Sequence, residues 1–265
     1  MKIKEIVSAL ERFAPLPLQD GFDNAGLQIG LTEVEATGAL LCLDVTEAVL
    51  DEAIALGHNL VISHHPLIFK GYKSITGKDY VERCILKAIK NDIVIYSAHT
   101  NLDNAYGGVN YKIAEKIGLK NLQVLEPKEN SLQDDLMQAG AGIVGELDEP
   151  ETELEFLKRI KKTFEVGCVR HNRLTGREIQ KVALCGGAGA FLLPQAIRAG
   201  ADVFITGEIK YHDYFGHEGD ILMAEIGHYE SEQYTKEIFY SIIRDLFPNF
   251  ALQSSKINTK PIKYL

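Results

Sequence analysis

The sequence predicts an α/β fold built from two pseudo-repeated halves, each with a parallel or mixed sheet. Three observations carry this expectation. Short apolar runs of strand length alternate with stretches of helical periodicity along the chain. The approach to the second strand of each half reads alike, Ala-Leu-Gly-His-Asn-Leu-Val-Ile at 55–62 and Arg-Ala-Gly-Ala-Asp-Val-Phe-Ile at 198–205. The third strand ends in His-x-x-x-acid both times, as His99/Asp103 and as His228/Glu232.

The first half, 1–125, opens with a helix from Lys4 to Phe13, stopped by Pro15 and Pro17, because proline lacks the amide proton and clashes with the preceding turn. A turn-rich loop, 19–24, follows. The first strand is Ala39–Val45, and Thr46 caps a helix that Gly57 stops, the one by its hydroxyl and the other by its freedom at positive φ. The second strand, 59–63, runs into His64-His65-Pro66. A helix ending near Lys90 leads to a third strand, 93–96, and then to His99 through Asp103. The stretch 126–177 is the least patterned and reads as the junction. The second half, 178–265, repeats the order: a strand at 182–185, the turn Gly186 to Gly189, and a strand at 202–206 ending in Gly207 through Asp213. A strand at 221–225 then runs into His228 and Glu232. A long helix closes the half, with Ile238, Phe239, Ile242, Ile243 and Leu246 at helical spacing on one face.

Composition narrows the class. The chain has 265 residues, 46% hydrophobic and 25% charged, which is ordinary globular usage. Its formal net charge of −9 repels phosphate backbones and argues against nucleic acid as a partner. No apolar run reaches bilayer length, so no membrane partner is expected. Cys42, Cys84, Cys168 and Cys185 form no C-x-x-C pair, which argues against a thiolate zinc site or disulfide framework and suits the cytoplasm.

The polar clusters all fall beyond strand ends, where ligands collect in open α/β sheets. Two adjacent imidazoles, His64 and His65, follow an apolar strand. Their side chains are expected to diverge and so to serve two neighbouring ions. A pair of surface histidines is the plain alternative. His228 and Glu232 stand four apart at a helix start and so share a face, although glutamate is favoured there by the helix dipole anyway. Asp103 adds a carboxylate, or is simply a turn residue. Together the clusters offer three imidazoles and two carboxylates, enough for a two-metal centre with open positions. The nitrogen and oxygen donors suit Zn, Mn, Fe, Co or Ni without choosing among them. His99, Lys210 and His212 are the candidate catalytic residues, for proton transfer or for holding an anionic substrate. Gly186 to Gly189 does not match a phosphate-loop spacing and reads as a tight turn.

The stretches Phe22 to Gln28, Ser63 to Pro66, His99 to Asp103, Thr206 to Asp213 and Gly227 to Glu232 resemble the Nif-three-like family of dinuclear metal-centre proteins, known in bacteria as GTP cyclohydrolase I type 2 homologues. The resemblance covers nearly the whole chain in family order. It implies the Nif-three-like fold, a pair of interleaved α/β units, with His64, His65, Asp103, His228 and Glu232 as ligands and Glu232 as the bridge. It also implies a toroidal homohexamer with the metal sites facing an internal cavity. Phe22 stands where relatives often have Trp, Glu208 where they often have Asp, and 126–177 is too short for the extra domain some relatives carry. The resulting expectation is a metal-dependent hydrolase of a nucleotide or small phosphorylated substrate. The alternative is a non-catalytic metal-binding, regulatory or delivery protein.

Overall fold

A computed structural model describes residues 1–128 and 138–265 of the chain, so 129–137 of the expected junction lie outside the described residues. The chain forms two interleaved compact units, Met1–Leu102 with Thr235–Pro261, and Asp103–Tyr234 with Ile262–Leu265. Each contains a sheet of mixed parallel and antiparallel strands.

The first unit begins with helix α1 (Ile3–Phe13), which ends where Pro15 begins a different local geometry. The strands β1 (Gly26–Ile29) and β2 (Ala39–Cys42) follow. Helix α2 (Glu47–Leu56) is capped as its sequence dictates: the Thr46 hydroxyl accepts from the Val49 amide, and Gly57 closes it at φ +68°. Strand β3 (Leu60–Ser63), helix α3 (Tyr80–Lys90), strand β4 (Val94–Ser97) and helix α4 (Thr100–Asn104) complete this run. The chain passes from the first unit into the second within α4.

In the second unit, helix α5 (Val109–Ile117) leads to strands β5 (Lys120–Pro127) and β6 (Gly140–Thr152). Helix α6 (Glu153–Thr163) and the strands β7 (Arg170–His171) and β8 (Glu178–Cys185) come next. Helix α7 (Leu193–Arg198), strand β9 (Val203–Thr206), strand β10 (Leu222–Glu225) and helix α8 (His228–Glu232) finish it. The chain then returns to the first unit as helix α9 (Thr235–Leu246) and strand β11 (Leu252–Ser254).

The first sheet has the order β1-β4-β3-β2-β11, and the second β5-β6-β8-β9-β10-β7. Strands β2, β3, β4 and β11 run parallel, with β1 antiparallel at the edge. In the second sheet β8, β9 and β10 are parallel. Register is what places the polar residues. Cys42 pairs with Ser63 and Ser63 with Ser97, so the chain leaves β2, β3 and β4 at one level. Cys185 pairs with Thr206 and Thr206 with Glu225, which repeats the device in the second sheet.

The core strands are apolar up to a terminal Ser or Thr and buried on both faces, as parallel strands covered by helices must be. In the first unit Leu40, Val61 and Ile95 pack with Val49, Cys84 and Ile85. In the second, Ala183, Phe204 and Met223 pack with Leu192 and Ala196. Burial raises the Cys84 thiol to about 11 and Cys42 further, which leaves both as small core residues.

Five strands escape the linear reading. β1, β7 and β11 are two to four residues at sheet edges, while β5 and β6 fall in or beside the stretch that reads as patternless because only part of each face is covered. On α9, Ile238, Phe239 and Ile243 are buried, but Leu246 is 52% exposed. It is the helix's last residue, and the apolar stripe has run past its neighbours.

Helix α3 begins with a local network that sequence spacing alone does not reveal. Asp79 accepts from the Glu82 amide, while the buried Glu82 carboxylate accepts from the Thr76 amide and hydroxyl and the Lys78 amide. Hydrogen bonds led by the Thr76 amide lower Glu82 to about 2, against the opposing effect of burial. A carboxylate depressed on folding stabilises the fold above its unfolded pKa of about 4.5 and loses that contribution as pH falls towards 2. Glu82→Gln is therefore expected to lower the melting temperature at pH 7 and to flatten the decline between pH 4.5 and 2. Thermal melts across that range check this, and parallel wild-type and variant profiles would overturn it.

Candidate metal centre

His64 and His65 leave the carboxyl end of β3, and His99 lies two residues beyond β4. The Ser63–Ser97 register, reinforced by a 2.8 Å bond between the two hydroxyls, brings these turns together. The rings of His64 and His65 are 5.0 Å apart and tilted by 45°. Both amides bond to the Leu43 carbonyl, so the chain abandons strand geometry at His64 and the alternation of side chains ends there. His99 stands 5.3 Å from the His64 ring and 5.5 Å from that of His65. One nitrogen from each of the three lies within 4.8 Å of the others, a group that could hold a metal ion.

The protonation of this cluster follows from its acceptors. His64 Nδ1 meets the Ala98 carbonyl at 2.9 Å, His65 Nδ1 meets Asp44 at 2.7 Å, and His99 Nδ1 meets Asp23 at 2.7 Å. A carbonyl and an ionised carboxylate only accept, so each Nδ1 donates and the lone pair of each neutral ring resides on Nε2. Such carboxylate–imidazole pairs fix ring orientation and raise the basicity of the far nitrogen. Asp44 is itself held by the Thr259 hydroxyl at 2.6 Å.

Asp23 is the residue that motif reading left without a role. It accepts from the Asn24 and Thr100 amides and from the Thr100 hydroxyl as well as from His99. Burial pushes its carboxyl up, but the bonds from His99 and Thr100 outweigh that and hold it down at about 2. It is therefore a fixed negative charge behind His99 over the whole physiological range. The loop that carries it also carries Phe22, which is 67% exposed and 6.4 Å from Phe69.

The second unit presents its own cluster. His228 and Glu232 begin and end α8, with Nε2 and Oε2 3.1 Å apart. Glu208, from the turn after β9, meets His228 Nδ1 at 3.0 Å. The Glu232 side chain is only 4% exposed. It lies against Gly187, where φ is +58° and a Cβ would sit 2.3 Å from Oε1. The glycine turn thus exists to admit this carboxylate. Its amides are committed elsewhere, Gly187 to the Ser231 hydroxyl and Gly189 to that of Thr206, as the tight-turn reading requires. Asp103, also of this unit, accepts through its carbonyl from Asn110, whose own carbonyl takes the Gly186 amide.

Lys210 and His212 are exposed on the loop after β9. They line a cavity of the second unit together with Glu208.

A model of the family described as Duf34/NIF3 (NGG1p interacting factor 3) matches residues 1–261. A Clostridium perfringens protein named GTP cyclohydrolase 1 type 2 homolog is 38% identical over 235 residues, 88% of this chain and 87% of its own. The crystal structure of a Staphylococcus aureus hypothetical protein superposes with a TM-score of 0.90 at 32% identity, covering 100% of this chain and 99% of that one. A Bacillus cereus protein related to NIF3 gives 0.89 at 27% identity, with 100% and 99% covered.

Asp23→Asn should leave a donor facing groups that themselves donate, and so cost about 1–3 kcal/mol of stability. It should also release His99 from its single tautomer. Denaturant melts and nitrogen-15 shifts of the His99 ring read the two effects, and unchanged ring shifts would rule out the orienting role.

Proposed function

Because the chain belongs to the Duf34/NIF3 family, we propose that His64, His65, Asp103, His228 and Glu232 together hold two divalent ions, and that the protein is a metal-dependent hydrolase of a nucleotide or other small phosphorylated substrate. The observation that carries the reading is the pair His64 and His65, whose Nδ1 atoms each meet an acceptor so that each lone pair lies on Nε2, beside the ring of His99, which is oriented in the same way by Asp23. Purely structural histidines have no reason to share a tautomer and face one another. A donor set of imidazole nitrogen and carboxylate oxygen fits Zn, Mn, Fe, Co or Ni. The name of the Clostridium relative supports the choice of a nucleotide.

Bound ions would supply Lewis acidity and a lowered pKa for water. The chain's own residues do the rest. His99, backed by the ionised Asp23, takes a proton at Nε2 and passes it to the leaving group, its positive charge balanced by the carboxylate behind it. Glu232, buried against Gly187, would be the carboxylate whose charge lowers the mutual repulsion of two cations. Lys210 and His212 hold the substrate's anionic end. The protein works as a homohexamer, in keeping with the family resemblance. Among the described residues no helix is long and apolar enough to cross a membrane.

Purified protein reloaded with Mn, Fe, Co, Ni or Zn should bind about two ions per chain. Glu232→Ala should be the most damaging single change, with folding preserved by circular dichroism. Elemental analysis that never exceeds one ion per chain would sink the dinuclear reading.

His99→Ala should keep bound metal and lose most of the hydrolysis of any nucleotide found to be turned over, by about 10²–10⁴-fold if the ring is the proton carrier. Loss of metal in that variant would instead make His99 a ligand. Light scattering should report a hexamer, and a stable monomer at micromolar concentration would overturn the assembly.

A further inference from the structure

We infer that Thr259 is a positioning residue of the metal centre: the segment that follows β11 carries its hydroxyl back to Asp44, and so fixes the nitrogen with which His65 meets an ion. This rests on His65 being a metal ligand, as proposed above, and adds a residue from a segment that the site motifs do not reach.

The three imidazoles of the first unit are oriented by unlike supports. His64 Nδ1 faces the Ala98 carbonyl, and a backbone oxygen has no side-chain torsion to lose. His99 faces Asp23, whose side chain has no exposed surface and takes further bonds from Thr100 and Asn24. Water cannot displace that contact. His65 faces Asp44 Oδ1 at 2.7 Å, but the Asp44 side chain is 33% exposed. A carboxylate held through one oxygen and open to solvent can turn about its Cβ–Cγ bond and take water in place of the imidazole. A second donor on the other oxygen opposes this: the Thr259 hydroxyl donates to Oδ2 at 2.6 Å. An ionised carboxylate only accepts, so ring and hydroxyl grip it from both ends and set its plane. With Nδ1–H of His65 committed in this way, the lone pair of the neutral ring stays on Nε2. Removing such outer partners changes metal affinity by about 10–100-fold.

The segment that delivers Thr259 is tied down along its way. Because β11 runs parallel to β2, it leaves the sheet at the end from which Asp44 also leaves, two residues beyond β2. The Ser255 amide donates to the Leu41 carbonyl at 2.7 Å, one residue past the Ser254–Leu41 pair. The buried Ser255 hydroxyl and the Lys256 amide then donate to the two oxygens of Glu52 on α2. The Ile257 amide turns back to the Ser255 hydroxyl at 3.1 Å, and the Lys260 amide to Asn258 Oδ1 at 2.9 Å. The chain is thus bent before Thr259 and across it, which aims the hydroxyl at Asp44. Glu52 holds the segment to the first unit, and Thr259 passes that fixity to the imidazole.

The test uses the full chain carrying Thr259→Val, which keeps the volume and removes the hydroxyl, or Thr259→Ser, which keeps the hydroxyl. Nitrogen-15 shifts of the metal-free protein at about pH 8, where imidazoles are neutral, read the tautomer of each ring. Competition with a chelator reads affinity for Zn and Co, and circular dichroism confirms folding, with Thr259→Ala in reserve if Thr259→Val does not fold. In Thr259→Val the His65 shifts should move towards a mixture of tautomers while those of His64 and His99 hold still, and one ion should bind about ten-fold more weakly. Thr259→Ser should restore both. Asp44→Ala should weaken that ion at least as much, and adding Thr259→Val to it should change nothing further. Ile257→Ala, at an exposed position of the same segment, should match wild type. The inference is overturned by unchanged His65 shifts, by equal movement of all three rings, by additive losses in the double variant, or by shifts that move while affinity does not. If two ions keep full affinity in Thr259→Val, the dinuclear reading stands and the role of Thr259 falls. If no more than one ion ever binds but Thr259→Val weakens it, the reverse holds.

Discussion

The register of parallel strands is the constraint from which the chemistry follows. Parallel pairing forbids a hairpin and forces each strand end to be followed by a turn on the same rim of the sheet. Because Ser63 pairs with Ser97 and Cys185 with Thr206, successive turns emerge at one level. A slip of one residue would turn every strand side chain to the opposite face and withdraw His64 from His99. The apolar strands are therefore more than packing. Leu40, Val61 and Ile95 on one sheet, and Ala183, Phe204 and Met223 on the other, fix the register because no other alignment buries them.

Much of this was legible in the residues, for reasons that can be named. The helices beginning near Ile3, Glu47 and Val109 carry local signals, a proline stop, a threonine cap or a glycine boundary. These signals act within four residues and need no tertiary context. The strands β3, β4, β9 and β10 are continuous apolar runs. What remained hidden depends on distance along the chain. Asp23 lies 76 positions from His99, Asp44 lies 21 from His65, and Glu208 lies 20 from His228. No periodicity links such pairs.

The carboxylates behind three histidines also explain why so acidic a chain can carry a cluster of bases. Each imidazole has its proton committed on Nδ1, so the group as a whole is poised to donate electron pairs rather than protons. Asp23 is the firmest of these supports, since two bonds from Thr100 keep it ionised independently of its imidazole partner. Behind His64 stands a backbone carbonyl instead of a carboxylate.

The return of the chain to the first unit has a consequence for synthesis. Strand β11 pairs with β2 through Leu252 and Ala39, two positions far apart in the order of synthesis. While the ribosome is still adding the second unit, β2 stands as an open sheet edge, and an unpaired edge is a template for the wrong partner. The second unit has no such wait, for its sheet is complete once β10 has been made. Domains that emerge early usually fold early. In this chain the nested unit can close first, and the unit whose strands are made earliest is the last to be finished.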